Sequence, residues 1–527
     1  MRDDGHMPDP SAKHRRLLLV VIDGLGSDPL RRAIAEGHAP NIHALMEAGA
    51  RFDDAISPFP SLTPVCLASI ITGAGPDQHR IPSLGWYNRG QGRFIEYGSS
   101  FAAAAVEGTW RSVQNVMLDL NHLHLAENPP TLFERVQDAG MRAASINYLI
   151  SRGRTRHKVK HDYGPVRAAT KRIGVNAVYG PDHLYLGELY GSVGPLLPQV
   201  GFKRPKDFGG GHIARWLMRN TGVEFVLLYL GEHDSKSHSL GPDSTQKAIR
   251  VADRALGRAM GSLGGIDSFL QKFAVMLCAD HGQTRVDRHA TLEDVFDDVD
   301  LYRGNRTHSS SDRELAVIAS NRVAMAYRTK QAHHGGTGHD SPTNRWIAQR
   351  SRECPALDLS AFREAYDDAG NEHIVVLGGE GGEVHLRRDM EHGTPTLRGA
   401  VTGDIRDRWQ VEGDLELLGL ERSEGLLTYS SYPDALERLT SSLSCVNTGD
   451  VMFSAVPGWE FTDIGGSAHT GGSHGSLHIT DSTAPLISIG LEGDTTEGLP
   501  TVRLTDIAHL ATTHLGIDTP VAGGATA

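Results

Sequence analysis

LLLVVIDGLG, residues 17–26, is a run of leucine, valine and isoleucine that stops at an Asp-Gly pair. A short, continuously apolar run predicts a strand that is buried on both faces, as in a parallel sheet. Two further runs, EFVLLYLG (224–231) and FAVMLCAD (273–280), have the same character and are preceded by segments with helical spacing. Strands and helices that alternate in this way predict an α/β fold, with a mostly parallel central sheet sandwiched by helices.

Composition sets limits on the class of protein. The 527 residues are 39% hydrophobic, enough for a large core and more than one domain. A formal net charge of −12 argues against a nucleic-acid polymer as partner, because phosphate backbones are bound by basic surfaces. The four cysteines form no CxxC pair, which indicates neither a disulfide framework nor a cysteine zinc site.

The N-terminal region is polar, and the apolar run that follows it is too short for a signal peptide core or a membrane span. We therefore expect a cytoplasmic protein without a transmembrane segment. The sequence carries no signal for an oligomeric state.

Changes in the pattern divide the chain. Residues 1–15 are polar and are predicted to form a disordered tail. Residues 16–284 and 446–527 carry the alternating pattern and are predicted to form the catalytic core, which includes the strand-like GDVMFSAVPGW (449–459). Residues 285–445 contain polar, glycine-rich stretches and shorter strand patterns. They are predicted to form an inserted α+β cap subdomain.

Residue types that bind divalent metals follow three of the core strands. Asp23 comes after the first apolar run, Asp234 and His238 follow the second, and Asp280 and His281 end the third. Parallel strands place their carboxyl ends at one edge of a sheet, so we expect these side chains to converge. Aspartate and histidine together suit zinc and related ions.

Each of these motifs alone is typical of an ordinary turn, but their joint occurrence after three apolar strands favours a metal site. A further loop, SAHTGGSHGSLH (467–478), offers the histidines His469, His474 and His478.

Five segments resemble the alkaline phosphatase superfamily and, within it, the type I phosphodiesterase/nucleotide pyrophosphatase branch. They are VIDGLG (21–26), FPSLTP (59–64), DSKSH (234–238), ADHG (279–282) and SHGS (473–476). The resemblance implies an alkaline phosphatase-like fold and two bound divalent ions. It implies one metal held by Asp23, Thr63, Asp280 and His281, and a second held by Asp234, His238 and His474. Zinc is preferred from the ligand types, although manganese, iron and cobalt also suit them.

The resemblance also implies that Thr63 is the catalytic nucleophile. A threonine hydroxyl is weakly nucleophilic, and a bound dication can favour the alkoxide. Pro64 suits the start of a helix whose positive end would face phosphate. We expect a phospho-threonine intermediate that is hydrolysed by water, with net retention at phosphorus. Ser61 is the alternative nucleophile.

Candidate substrate contacts come from two segments. Nucleotide pyrophosphatases carry a phosphate-binding asparagine about twenty residues beyond the threonine; here Leu84 stands at that position, and Asn88 is near but displaced. Trp86 could stack on a base or simply pack in the core. Arg152 and Arg154 follow a predicted strand, and their guanidinium groups suit phosphate oxygens.

The sequence therefore predicts a two-metal phosphodiesterase or nucleotide pyrophosphatase that acts on a small phosphodiester. A phosphomonoesterase or phosphonate hydrolase on the same metal framework is the alternative. A catalytically inactive, metal-stabilised scaffold protein is a third hypothesis, disfavoured because all seven ligand positions carry suitable residues.

Overall fold

The computed structural model describes most of the chain. The described residues are 16–98, 109–158, 177–186, 190–191, 206–302, 313–329, 343–365, 372–388, 409–423, 426–462, 468–493 and 501–517. The predicted tail at residues 1–15 lies outside them, as do most of the polar stretches predicted within the cap.

A nine-stranded sheet forms the centre of the described structure. In spatial order its strands are Val502–Arg503, Arg51–Ile56, Thr483–Ile489, Phe273–Cys278, Arg16–Ile22, Phe225–Leu230, Ala143–Ile146, His183–Leu186 and Tyr190–Gly191. The three apolar runs that indicated the fold are neighbours in its middle. Arg16–Ile22 lies between Phe273–Cys278 and Phe225–Leu230 and pairs in parallel with both.

The mostly parallel sheet predicted from the sequence is confirmed. Thr483–Ile489 is an exception, because it pairs antiparallel with both of its neighbours. The apolar residues of Arg16–Ile22 are fully buried, as expected for a central strand that is covered on both faces.

Most helices flank this sheet and fill the connections between its strands, while Asn344–Arg350 packs against the second sheet described below. Their bounds are Ser27–Ala35, Pro40–Glu47, Thr63–Thr72, Pro76–His79, Thr109–Gln114, Asn115–His124, Leu132–Asp138, Lys206–Asn220, Glu232–Leu240, Gln246–Met260, Ile266–Leu270, Asn344–Arg350, Ala435–Ser444, Ile479–Ser482 and Asp506–His514.

A second sheet of seven strands is antiparallel throughout. Its order is Leu315–Ser320, Val323–Arg328, Val451–Ala455, Leu357–Ala365, Glu372–Gly378, Glu383–Arg388 and Trp409–Gly413. Some of its buried side chains join the same hydrophobic cluster as the central sheet, while others form a separate cluster with the helix Asn344–Arg350.

The strand Val451–Ala455 lies in this second sheet, between Val323–Arg328 and Leu357–Ala365. The sequence analysis assigned it to the returning core, whereas it pairs with two strands from the predicted cap segment. All five of its residues are buried, so its apolar pattern matches that of a central strand and does not identify the sheet to which it belongs. The division into a core and an inserted cap otherwise stays a prediction.

The hairpin that joins Leu315–Ser320 to Val323–Arg328 is anchored by a buried arginine. Arg322 is fully buried and forms an ion pair with buried Asp481 at 2.6 Å. Its guanidinium also donates to the carbonyl oxygens of Ala455 and Trp459, at 3.0 and 3.1 Å. These bonds fix the tip of the hairpin against the segment that carries His474, because the Arg322 N–H donates to the His474 carbonyl at 2.9 Å.

Replacement of this arginine tests the anchor. We expect Arg322→Met to lower the free energy of unfolding by about 3–5 kcal/mol, since it leaves Asp481 buried without its cationic partner. The matched variant Arg363→Met breaks an exposed pair with Glu372 and should cost no more than about 1 kcal/mol. Urea denaturation of both variants measures the difference, and equal losses would contradict the anchoring role.

Candidate metal centre and active site

Three aspartates meet at the carboxyl ends of the three adjacent central strands. Asp23 directly follows Arg16–Ile22, and Asp280 lies two residues beyond Phe273–Cys278. Asp234 lies in the first turn of the helix Glu232–Leu240, which follows the neighbouring strand. The convergence predicted from the alternating pattern is therefore present.

Two carboxylate oxygens in this cluster are buried and have no hydrogen-bond donor: Oδ1 of Asp23 and Oδ2 of Asp280. The second oxygen of each of these two carboxylates accepts hydrogen bonds. Tyr229 donates its hydroxyl to Asp23 Oδ2, while the N–H groups of Gly24 and His281 donate to Asp280 Oδ1 at 3.0 and 3.1 Å. A buried carboxylate oxygen without a donor is costly. A divalent cation would satisfy both oxygens, so this donor set fits a metal.

Gly24 allows the side chains of Gln283 and Asp234 to lie close to the end of the first strand. Its φ is +67°, and a Cβ there would lie 2.8 Å from Gln283 Nε2 and 2.9 Å from Asp234 Oδ1. Only glycine meets both conditions without strain. The Asp-Gly pair is therefore more than a turn.

Three histidines complete the cluster. In each of them Nδ1 already forms a hydrogen bond. Nδ1 donates to a backbone carbonyl in each: His238 to Gly472 at 2.8 Å, His281 to Gly282 at 3.0 Å and His474 to Ser61 at 2.8 Å. A carbonyl only accepts, so Nδ1 carries the proton in each case. Nε2 is the nitrogen left to bind a metal, an arrangement typical of metal-ligating histidines.

The ligand atoms form two overlapping groups, each within 4.8 Å. One contains Asp23, Asp280 and His281, and the other contains Asp234, His281 and His474. His238 adjoins the second group, with Nε2 3.4 Å from Asp234 Oδ1. His281 belongs to both groups, so the allocation of ligands to one cation or the other stays a prediction.

Thr63 lies beside this cluster at the start of the buried helix Thr63–Thr72, with Pro64 in the first turn. Its Oγ1 is 3.2 Å from His281 Nε2 and therefore donates to the lone pair of that nitrogen. The backbone N–H groups and the dipole of this helix end favour a negatively charged group nearby. Ser61 donates its hydroxyl to the Ser476 carbonyl at 2.9 Å.

The electrostatics of the cluster lack positive charge. Burial raises the pKa of Asp23 well above its ordinary value, and the charges of Asp280 and Asp234 raise it further. Burial also raises the pKa of Asp280. Burial opposes the ionisation of both Asp234 and His238, but their mutual attraction outweighs it, lowering the pKa of Asp234 and raising that of His238 to about 9. Divalent cations would supply the positive charge that favours the ionised forms of Asp23 and Asp280.

Two contacts at the cluster were missed by the sequence analysis, and a third involves a loop histidine that it had considered. Gln283 donates through Nε2 to Asp234 Oδ1, and Asn321 Nδ2 lies 3.1 Å from His474 Nε2. His469 stacks on His238 with ring centroids 3.9 Å apart and contacts buried Glu460 through Nδ1 at 2.6 Å, which favours a role in orienting ligands. The only available signal was the position of His469 in the histidine-rich loop.

The predicted arginine contacts with substrate find no support. The Arg152 guanidinium is buried against Glu134 and donates to the carbonyls of Leu125 and Ala126, among others. Arg154 pairs with Asp138 and Glu134 at 2.8 Å. Both side chains thus stabilise the loops around the helix Leu132–Asp138, because carboxylates and carbonyls already occupy their donors.

The other two predicted substrate-binding residues, Trp86 and Asn88, form hydrogen bonds within the protein. Trp86 is 1% exposed and donates Nε1–H to the Tyr97 hydroxyl at 3.2 Å, so the packing alternative fits better than stacking on a base. Asn88 Oδ1 accepts the N–H of Gln91 at 2.9 Å and closes a turn between two short strands.

The fold is α/β with an alkaline phosphatase-like architecture, and solved structures of two enzymes share it. Phosphonoacetate hydrolase from Sinorhizobium meliloti 1021, in complex with phosphonoformate, shares the fold at a TM-score of 0.51 and 16% identity, over 95% of this chain and 96% of that one. Murine ectonucleotide pyrophosphatase/phosphodiesterase 5 does so at 0.54 and 14% identity, over 97% and 98%. Curated protein sequences give no match.

The family follows from the sequence itself. A family profile described as type I phosphodiesterase/nucleotide pyrophosphatase matches residues 17–358, more than half of the chain. The chain belongs to this family, as the five motifs indicated. Its members are metal-dependent hydrolases of phosphoric esters, which agrees with the ligand cluster. Among the described residues, no helix has the length and apolar character needed to span a membrane.

Metal removal tests the charge imbalance. We expect a chelator to lower the melting temperature and zinc to restore it, because a ligand that binds only the folded state stabilises it by about 3–4 kcal/mol at 100–1000 times its Kd. Differential scanning fluorimetry with a zinc titration measures the shift.

Two variants provide the comparison for this titration. Asp280→Asn should lose most of the zinc-dependent rise in melting temperature, whereas Asp243→Asn, at an exposed ion pair, should keep it. A chelator-insensitive wild-type protein would contradict a metal centre at this cluster.

Proposed function

We propose that the protein is a two-metal phosphodiesterase that uses Thr63 as its nucleophile and passes through a phospho-threonine intermediate. The observation that carries the proposal is the position of the Thr63 hydroxyl. It lies 3.2 Å from His281 Nε2, at a helix N-terminus, beside a cluster with two unsatisfied carboxylate oxygens. Zinc as the metal and the cytoplasmic location stay predictions.

Divalent cations bound at the cluster would favour ionisation of the Thr63 hydroxyl and offset the charge that develops on phosphorus-bound oxygens. The chain's own residues position the reactants. The helix Thr63–Thr72 fixes the hydroxyl and directs N–H groups of its first turn toward an incoming anion. The Thr63 hydroxyl donates a hydrogen bond to His281 Nε2 at 3.2 Å. A cation bound to that nitrogen would take up its lone pair and release the hydroxyl for ionisation.

A diester is favoured over a monoester by the charges around the cluster. In the part of the chain that the structure describes, the ion-pair partners of Asp23, Asp234 and Asp280 are histidines. Arg152 and Arg154 are held by other carboxylates. The additional negative charge of a monoester would thus find no guanidinium there, while a singly charged diester does not require one.

A phosphonate hydrolase is the second candidate, and the comparison with phosphonoacetate hydrolase supports it. The comparison with a murine pyrophosphatase/phosphodiesterase, described as an inactive threonine-to-alanine variant in complex with AMP, supports nucleotide diesters and a threonine nucleophile. Family membership favours the diesterase.

Thr63→Ala tests the nucleophile. We expect the hydrolysis rate to fall by about three orders of magnitude or more, with metal content by elemental analysis equal to that of wild type. Ser61→Ala removes the alternative hydroxyl but keeps the carbonyl that holds His474, and it should retain activity within about tenfold of wild type. If instead Ser61→Ala is inactive and Thr63→Ala is not, the nucleophile is Ser61.

Substrate preference is tested by a panel of esters at equal metal loading. We expect a higher kcat/KM for bis-p-nitrophenyl phosphate than for p-nitrophenyl phosphate, for the charge reason given above. Phosphonoacetate, with release of inorganic phosphate as readout, tests the second candidate. A clear monoester preference would overturn the diesterase assignment.

A further inference from the structure

Asn321 lies at the cluster although it comes from the second sheet. It begins the two-residue turn between Leu315–Ser320 and Val323–Arg328, and its Nδ2 lies 3.1 Å from His474 Nε2. His474 is 2% exposed and donates Nδ1–H to the Ser61 carbonyl, so its Nε2 carries a lone pair. The Asn321 carboxamide is therefore the donor in this contact.

The backbone around Asn321 is fixed from several sides. Its carbonyl accepts the Phe461 N–H at 2.9 Å, and the next residue, Arg322, donates its N–H to the His474 carbonyl at 2.9 Å. On the other side, the Ser320 hydroxyl accepts the Gly85 N–H at 3.1 Å. The carboxamide thus belongs to a rigid turn that is bonded directly to the loop of His474.

Asn321 also adopts an uncommon backbone conformation, with φ of +58°. Asparagine is one of the few non-glycine residues that adopt this conformation readily, so the turn accepts it without marked strain. The turn places its carboxamide at the cluster, in contact with His474.

A cation bound to His474 Nε2 would take up the lone pair that now accepts from Asn321. Because Nδ2 and Nε2 are only 3.1 Å apart, the cation would also displace the carboxamide from His474, and its N–H would need another acceptor beside the cluster. A non-bridging oxygen of a phosphoryl group that binds beside the cluster would supply one, and it is a strong acceptor because it is charged.

We propose that Asn321 is a substrate-binding residue that donates a hydrogen bond from Nδ2 to a non-bridging phosphoryl oxygen. The inference rests on the proposed function, and it deepens that function by assigning a neutral donor to the phosphoryl group. An uncharged amide suits the single negative charge of a diester.

Asn321→Gly is the test, because glycine keeps the positive φ and removes the carboxamide. The probe is inorganic phosphate, titrated calorimetrically into zinc-loaded protein. We expect the Kd for phosphate to rise about tenfold to a hundredfold, the range for one hydrogen bond to a charged group, with zinc content and melting temperature unchanged. The kcat/KM for bis-p-nitrophenyl phosphate should fall by a similar factor.

Two further variants make the test specific. Arg80→Gly places glycine at another positive φ, of +67°, on an exposed residue, and should leave phosphate affinity unchanged. Asn321→Asp keeps the shape but replaces the donor by a charged acceptor, and it should weaken phosphate binding at least as much as Asn321→Gly.

Three results would overturn the proposal. Wild-type phosphate affinity in Asn321→Gly removes the substrate contact, while a parallel loss of zinc shows that Asn321 only supports His474. A wild-type protein that binds no zinc and hydrolyses no ester refutes the proposed function as well, and this outcome is distinguishable because it does not depend on the variant.

Discussion

The close packing of three carboxylates inside the protein determines what the rest of the site must provide. Adjacent parallel strands bring Asp23 and Asp280 to one edge of the central sheet, and the helix after the third strand adds Asp234. Burial and mutual repulsion disfavour this arrangement unless positive charge is supplied. The surroundings agree with that need: Gly24 permits the close approach, and three histidines commit Nδ1 to backbone carbonyls and leave Nε2 for a cation.

The residues around the carboxylates come from different parts of the fold and have different tasks. The central sheet supplies the aspartates and His281, while a loop after residue 467 supplies His474. Thr63, the proposed nucleophile, begins a buried helix, so its position is fixed by packing rather than by the candidate metal ligands. The second sheet contributes Asn321 through a single turn. The proposed site thus draws residues from both sheets, although most candidate ligands belong to one.

The central fold and the convergence of three aspartates could be predicted from sequence because each aspartate follows a short apolar strand, and such strands are recognisable without partners. The roles of Thr63 and His474 came only from the family resemblance. The strand Val451–Ala455 was assigned to the core although it pairs with strands of the second sheet, because burial looks the same in either sheet. Arg152 looked available for substrate, but the carbonyls that occupy its guanidinium are visible only in the folded chain. Asn321 looked like an ordinary turn residue, since its contact with His474 spans 153 positions of sequence.

The buried bond between Arg322 and Asp481 has a consequence for how a substrate enters. The second sheet is fastened to the His474 segment at this point by an ion pair and by backbone hydrogen bonds. A hinged lid that swings away with the whole second sheet would have to break these bonds and expose a charged pair at each turnover. The seven-stranded sheet is therefore a fixed wall beside the cluster and not a hinged lid.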